Sequence, residues 1–245
     1  MLDFGDAEDV SLYTNAIQKY PEDKQIFVGF PTWYHYRRAW TANYDELCGK
    51  ERRRWRMENY SARSGLVVTD CVFITSRDGI HFKKYDEAFM KPYAEFPGNW
   101  LYGDCFPALG LIDTPSDIAG ADRELSMFVP VGHNCLAHTI LERFTIRRDS
   151  FVSMHAGAKE KMLVTKQFVF SGKDLFINFE TSALGYMYFT LVDEDGKRYE
   201  SCETFGDRTD RRVPFEEGAV EKLSGKPVTL EVRMRDADLY AIVFR

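Results

Sequence analysis

The sequence lacks the features of several large protein classes. No stretch approaches the ~18 consecutive apolar residues of a membrane span, and the opening MLDFGDAEDV has no basic segment followed by an apolar one. We therefore expect no membrane partner and no signal peptide, which makes the protein cytoplasmic by default. The patterns GxSxG, GxxxxGK(S/T) and GxGxxG are also missing, and their absence disfavours serine-hydrolase and nucleotide-dependent chemistry.

Patterns that bind metals or cofactors are equally scarce. Five cysteines lie at positions 48, 71, 105, 135 and 202 with no CxxC spacing, so we expect buried thiols and neither a disulfide framework nor a zinc site. The five histidines form no HExxH motif. His133 and His138 share the loop GHNCLAHT, and a metal site there is the weaker interpretation. We expect no metal and no cofactor.

Excess positive charge is absent as well. The chain has 32 basic and 38 acidic residues, a net charge of −6, which disfavours a nucleic-acid partner because phosphate contacts need a basic face. The run KERRRWRMENYSAR from Lys50 to Arg63 is a local exception. It could bind an acidic glycan, or nucleic acid by stacking and charge. The simpler interpretation is a solvated stretch whose arginines pair with Glu46, Glu51 and Glu58.

Aromatic residues and alternating apolar positions are abundant. Aromatic residues make up 15% of the chain, which suits twisted sheets. Period-two alternation predicts strands at 25–30, 66–76, 125–129 and 140–147. Asp78-Gly79 predicts a tight hairpin, because glycine supplies the positive φ that such turns need. Tyr44 to Arg56 is the only helix-like stretch, and Gly49 interrupts it. We therefore predict an all-β protein.

Residues 151–245 have the pattern of a β-sandwich domain. The predicted strands are 163–170, 174–181, 186–193, 211–215, 228–234 and 239–244. In the segment LEVRMR (230–235), apolar and charged residues alternate. That alternation is typical of an antiparallel sheet with one buried and one solvated face.

Residues 1–150 have heavily aromatic hairpins joined by long loops. Propeller blades of four strands take roughly 40–50 residues, so this segment has room for about three. A closed propeller needs at least ~4 blades, and we therefore predict an incomplete β-propeller. Its unpaired flank must be covered, which predicts a homo-oligomer or further N-terminal blades.

Several segments resemble the C-terminal half of a bacterial family of glycosyl-hydrolase-like proteins. The similar blocks are LYTNAIQKYP (12–21), IFVGFPTWY (26–34), DCVFITSRDGIHFKKYDEAFMKP (70–92), NWLYGDCFPALGL (99–111), ERFTIRRDSFVSMHAG (142–157), LVTKQFVFSGKDLFINFETSALG (163–185) and RMRDADLYAIVF (233–244). The resemblance implies a five-bladed propeller of the invertase–arabinanase type with a trailing sandwich, and a carbohydrate as partner. It also implies two earlier blades, the first with the catalytic base, that this sequence does not contain.

Two aspartates are the predicted catalytic residues. Glycoside hydrolysis needs two carboxyl groups flanking the bond, one protonated and one ionised. Asp70 leads an apolar strand, and we expect that strand end to point into a wet channel, because burying an unpartnered carboxylate is costly. Asp104 lies in the aromatic loop NWLYGDCFP. The structural alternatives are an edge cap for Asp70 and an Asx turn for Asp104.

Four residues are the predicted substrate-binding set. Trp100 and Tyr102 precede Asp104 in the same loop and offer aromatic faces for a sugar ring. Asn15, in YTNA, and Arg37, in the loop after IFVGFPTWY, are candidates for binding hydroxyl or carboxylate groups, since a guanidinium forms a planar clamp.

We therefore expect a glycoside hydrolase, or its C-terminal half, that acts on a carbohydrate through paired carboxylates in a propeller channel. The alternative is a non-catalytic carbohydrate-binding or assembly module. Two further blades upstream with an early aspartate would favour the enzyme.

Overall fold

The computed structural model describes residues 2–5, 11–132 and 139–245. These residues are mostly β-structure, so the predicted all-β class is confirmed. The chain divides into two compact units: Met1–Thr114 with Leu125–Thr145, and Pro115–Glu124 with Ile146–Arg245. No helix in the described ranges is long and apolar enough to cross a membrane.

The described residues up to 147 form short strands and three short helices. In chain order they are β1 Gln18–Lys19, β2 Phe27–Gly29, β3 Thr32–Tyr36, α1 Ala42–Glu46, α2 Lys50–Asn59, α3 Ala62–Leu66, β4 Val67–Ser76, β5 Lys83–Met90, β6 Ile112–Thr114, β7 Glu124–Val131 and β8 Ile140–Arg147. The last three strands form a separate sheet of order β6–β7–β8.

Strand β4 is the centre of the larger sheet of the first unit. β2 pairs antiparallel with its C-terminal end and β3 with its N-terminal half. β5 pairs antiparallel with β4 over both of these regions, so it must lie on the opposite edge. β2 and β3 therefore run end to end along one edge, and β1 pairs outside β2. The result is a four-row antiparallel meander whose neighbouring rows are consecutive in the chain.

A hairpin joins β4 and β5 where the Asp-Gly pair predicts one, but its loop spans residues 77–82 and is longer than the predicted tight turn. Gly79 has a φ of +76°, which glycine adopts without strain. Asp78 Oδ1 accepts the N–H groups of Ile80 and His81, both at 2.8 Å. The side-chain bond between Asp78 and His81 lowers the pKa of the carboxyl and raises the pKa of the imidazole. These bonds make Asp78 a structural residue of the hairpin.

The helix-like stretch contains α1 and α2, separated where the sequence has Gly49. This glycine precedes α2 with a φ of +75°, a conformation that other residues rarely adopt. α3 was not predicted. Its start is capped by Ser61, whose Oγ accepts the N–H of Ser64. The whole basic run 50–63 therefore lies on α2, α3 and the short link between them.

The second unit is built on one antiparallel sheet. Its elements are β9 Met154–Ala156, β10 Lys161–Val164, β11 Phe168–Val169, β12 Leu175–Asp193, β13 Arg198–Glu200, β14 Asp207–Arg212, the 3₁₀ helix Glu221–Leu223 and β15 Pro227–Phe244. β12 and β15 pair along nearly their whole length. β9, β10 and β11 follow the outer edge of β15, and β13 and β14 follow that of β12.

In two places the structure has one long strand where the sequence predicts two shorter ones. The segments predicted at 174–181 and 186–193 are both β12, and those at 228–234 and 239–244 are both β15. The ladder continues through an irregular pairing between Thr181 and Tyr186, because a bulge bends a strand without ending it. Gly185 is needed at this bend, since a Cβ there would collide with the carbonyl oxygen of Asp236.

One hydrophobic core serves both halves of this sheet. It includes Leu175, Ile177 and Phe179 from the first half of β12, Met187, Phe189 and Leu191 from its second half, and Leu230, Val232 and Met234 from β15. The apolar residues of the segment 230–235 are buried and the charged ones are partly exposed, so the predicted alternation is confirmed.

Replacing Phe189 by Ala should destabilise the second unit by about 3–5 kcal/mol, because the lost ring leaves a cavity in this core. Phe189 has no exposed surface, whereas Phe205 is 61% exposed. Phe205→Ala is therefore the matched control, with an expected change below about 0.5 kcal/mol. Urea unfolding followed by circular dichroism measures both. Equal losses of stability would contradict this core assignment.

Candidate functional site

Buried threonine hydroxyls hold the loop 99–106 against β3 and β4. Thr69 Oγ1 donates to the carbonyl of Asp104 at 2.8 Å and accepts the N–H of Gly103 at 3.2 Å. Thr32 Oγ1 donates to the carbonyl of Cys105 at 3.1 Å. Both threonines are fully buried. The loop therefore covers the sheet face to which Thr32 and Thr69 point.

Asp70 points to the other face, because side chains alternate along a strand. It is the fourth residue of β4 rather than the first, and it pairs in register with Trp33. Its Oδ1 lies 3.3 Å from Nε2 of His35, and its side chain is 21% exposed. The carboxylate thus has an imidazole partner within the same sheet.

Asp104 is buried inside its own loop. Its Oδ2 accepts the N–H of Leu101 at 2.9 Å, and burial raises the pKa of Asp104 to about 6. Smaller effects lower this pKa: the backbone N–H groups of Leu101 and Trp100 and the charge of Arg53. The cavity next to this carboxyl group has a volume of about 20 Å³, which is too small for a sugar ring.

The two predicted catalytic residues therefore lie on different faces of one sheet. Thr69 and Asp70 are consecutive, so the loop that bonds to Thr69 lies on the face opposite the side chain of Asp70. Glycoside hydrolysis requires two carboxyl groups on either side of one bond. A sugar bound on the loop side would meet Asp104 without Asp70.

Arg53 of α2 supports the strained part of the loop. It is fully buried, its guanidinium donates to the carbonyl of Trp100, and it lies 5.6 Å from the ring of Tyr44. Trp100 and Cys105 have φ values of +60° and +57°, a region that side chains other than glycine rarely adopt. Such strain persists where surrounding bonds determine the backbone.

A cavity of about 410 Å³ lies within the first unit. Its lining residues are Ser11, Leu12, Tyr13, Tyr34, Arg56, Arg63, Ser64, Val67 and Tyr102. We name it the Tyr–Arg cavity, since three tyrosines and two arginines converge there from β3, α2, α3 and two loops. Its volume is in the usual range of small-molecule sites.

The tyrosine rings of this cavity pack on one another. Tyr13 and Tyr34 are stacked with 6.2 Å between centroids, and Tyr102 meets Tyr13 edge-on at 5.7 Å. Phe106 packs against both Tyr13 and Tyr102. Burial and the hydrogen bond with Tyr13 raise the pKa of Tyr102 to about 12. Its hydroxyl is therefore neutral at physiological pH and can both donate and accept.

The two arginines of the cavity are oriented through their Nε atoms. Arg63 Nε donates to the hydroxyl of Tyr34 at 2.5 Å, with its guanidinium 4.5 Å from the same ring. Arg56 Nε donates to the carbonyl of Ser64 at 3.2 Å. This second bond ties α2 to α3, so both guanidinium groups line one cavity.

Of the predicted substrate-binding residues, Tyr102 lines this cavity and the other three do not. Trp100 Nε1 donates to the carbonyl of Tyr93 at 2.8 Å. Asn15 Oδ1 accepts the N–H of Ile17 at 3.4 Å. Arg37 is exposed just after β3. Asn15, Arg37 and Trp100 stay predictions, with no place among the residues that line the cavity.

Sequence reasoning missed Tyr13 and Tyr34, whereas Arg56 and Arg63 belong to the basic run 50–63, for which an acidic glycan was one interpretation. Alternation in PTWYHY does put Tyr34 on the same face as Thr32, and that signal was available. The position of Tyr13 depends on the bridge between Leu12 and Trp33, which no local pattern predicts.

The second unit contains a larger cavity of about 730 Å³, between its sheet and the segment that precedes β7. Its charged groups pair with each other. Arg147 contacts Glu180 at 3.0 Å and Asp207 at 2.6 Å, and Arg208 contacts Asp122 at 3.0 Å. The Arg208–Asp122 pair attaches the segment to the sheet, and the two Arg147 pairs attach the end of β8. These ion pairs indicate a structural function.

The parts of the chain that the structure describes contain no group of three or more His, Cys, Asp or Glu side chains placed to bind a metal. His133 and His138, which the weaker interpretation assigned to a metal, lie outside the described residues. The same is true of Cys135.

Comparisons with known proteins found no match to this chain. No family model, no curated protein and no solved structure matches the chain. The resemblance to glycosyl-hydrolase-like propellers therefore stays a prediction, and the functional argument depends on the site itself.

Replacing Asp104 by Asn should change how stability depends on pH. The pKa of Asp104 is about 6 in the folded protein and about 3.9 in an unfolded chain, so the folded state holds this proton more tightly. The free energy of unfolding of the wild type should therefore fall, relative to Asp104→Asn, by up to about 3 kcal/mol as the pH rises from about 4 to about 6.

Chemical denaturation of both proteins across this pH range measures the difference. The amide introduced by Asp104→Asn keeps an oxygen that can accept the N–H of Leu101, so the loop should still close. Parallel stability curves for the two proteins would contradict the raised pKa.

Proposed function

We propose that this chain binds carbohydrate, with the Tyr–Arg cavity as the ligand site. The main observation that supports this proposal is that three tyrosine rings and two guanidinium groups line one cavity of about 410 Å³. Aromatic rings stack on the apolar faces of sugar rings, and hydroxyl and guanidinium groups donate hydrogen bonds to sugar oxygens. Tyr13 is 57% exposed, which leaves one ring accessible to a ligand.

The fold supports a sugar-processing ancestry for this module. The four-row meander of β1 to β5 has the strand arrangement of a propeller blade, and the bent sheet of the second unit has the single core of a sandwich-like domain. We propose an incomplete β-propeller followed by a sandwich, related to the glycosyl-hydrolase-like family. Association with a second copy or with further blades belongs to the same proposal.

Hydrolysis is the second candidate function; the pKa of Asp104 favours it, whereas the cavity of about 20 Å³ beside this carboxyl group opposes it. The pKa of Asp104, raised to about 6 by burial, matches the range of a general acid in glycosidases. The partner carboxylate would come from a further blade, as the resemblance implies, since Asp70 lies on the opposite sheet face.

Replacing Tyr13 by Ala should weaken glycan binding by about 3- to 10-fold, because one stacking ring is lost. Tyr93→Ala is the matched control, since Tyr93 is also exposed, at 47%, and does not line the cavity. Isothermal titration calorimetry with a glycan found by array screening measures both. Equal affinities of wild type and Tyr13→Ala would exclude this cavity as the site.

Asp104→Asn separates the two candidate functions. If the protein hydrolyses its glycan, release of reducing ends should fall at least about 100-fold in this variant, while a binding module keeps its glycan affinity. Reducing-end assays and calorimetry on the same samples provide both readouts. Wild-type protein that releases no reducing ends leaves binding as the function.

A further inference from the structure

We infer that the ligand of the Tyr–Arg cavity is an acidic glycan, one whose sugars carry carboxylate or sulfate groups. The inference rests on the proposed function and names its substrate class. Arg56 and Arg63 line the cavity, and none of its lining residues within the described ranges is an aspartate or a glutamate. The described lining of the cavity therefore has only positive formal charge, in a chain with a net charge of −6.

These two arginines differ from their neighbours Arg53 and Arg54 in the basic run. Arg54 pairs with Asp45, and Arg53 is buried against the loop 99–106. Within residues 2–5, 11–132 and 139–245, neither Arg56 nor Arg63 has a carboxylate at ion-pair distance. An arginine without an internal counter-ion at a cavity wall is available for an anion of the ligand.

The orientation of the guanidinium groups suits such an anion. Each group is held by a hydrogen bond from Nε, Arg63 to Tyr34 and Arg56 to Ser64. Holding Nε fixes the guanidinium plane and leaves the two terminal NH₂ groups as donors. Their fork matches the spacing of two oxygens of a carboxylate or sulfate.

The charge of Arg56 reaches the tyrosines of the cavity. It lowers the pKa of the Tyr102 hydroxyl, against the larger effects of burial and the bond with Tyr13. The aromatic surface and the positive charge therefore act on the same space. Acidic sugars offer both a ring face and an anion, whereas a nucleic acid would need a longer basic surface along its phosphates.

The test is calorimetric titration of the full chain with three oligosaccharides of equal length: a uronate oligomer, a sulfated oligomer and a neutral one. We expect at least one acidic ligand to bind about 10- to 100-fold tighter than the neutral ligand, since a charge-assisted hydrogen bond contributes about 1.5–3 kcal/mol. Raising the salt concentration should weaken only the acidic ligands. The tighter of the two acidic ligands identifies the anion.

Arg56→Gln and Arg63→Gln, alone and combined, should remove this preference, so that the ratio of acidic to neutral affinity approaches one in the double variant. Arg54→Gln is the matched control and should keep the wild-type ratio, because its partner is Asp45. Arg63→Lys keeps the charge without the fork and should keep only part of the preference. Thermal melts check that each variant is folded.

The outcomes separate the two proposals. Equal affinity for acidic and neutral oligosaccharides overturns the acidic-glycan inference and leaves carbohydrate binding in place. No binding of any oligosaccharide overturns both. Tighter binding of single-stranded RNA than of any glycan, removed by the double variant, assigns the cavity to nucleic acid and also overturns both.

Discussion

In the first unit, the position of the loop 99–106 depends on the hydroxyl group of Thr69, together with that of Thr32. The buried hydroxyl of Thr69 joins the central strand of the sheet to the loop 99–106 through bonds to both Gly103 and Asp104. The hydroxyl group donates to one backbone group of the loop and accepts from another. Losing either bond would leave a buried N–H or carbonyl group without this partner, which costs stability. Because Tyr102 belongs to this loop, the attachment also sets one wall of the Tyr–Arg cavity.

Strand alternation then separates the chemistry of the two sheet faces. Thr69 holds the loop on one side, and Asp70, the next residue, meets His35 on the other. A one-residue step along a strand reverses the direction of the side chain. The two aspartates can therefore both be partly buried in one small unit without approaching the same ligand, which disfavours hydrolysis by this pair of carboxyl groups.

The basic run 50–63 shows how one composition can serve several structural purposes. Arg53 supports a strained loop, Arg54 pairs with Asp45, and Arg56 and Arg63 line a cavity. The simpler expectation of arginines solvated beside nearby glutamates does not describe these four contacts. The contacts of these arginines differ because neighbouring positions on a helix point in different directions.

Local patterns in the sequence by themselves determined the all-β class, the Asp78-Gly79 hairpin and the alternation of 230–235. Each depends on contacts between residues that are close in the chain. The tertiary structure decided that 175–193 and 227–244 are single bent strands, that Asp70 and Asp104 face apart, and that Tyr13, Tyr34 and Tyr102 meet two arginines. Those arrangements depend on pairing and loop attachment between distant segments, and hydrophobic periodicity contains no information about which distant segments meet.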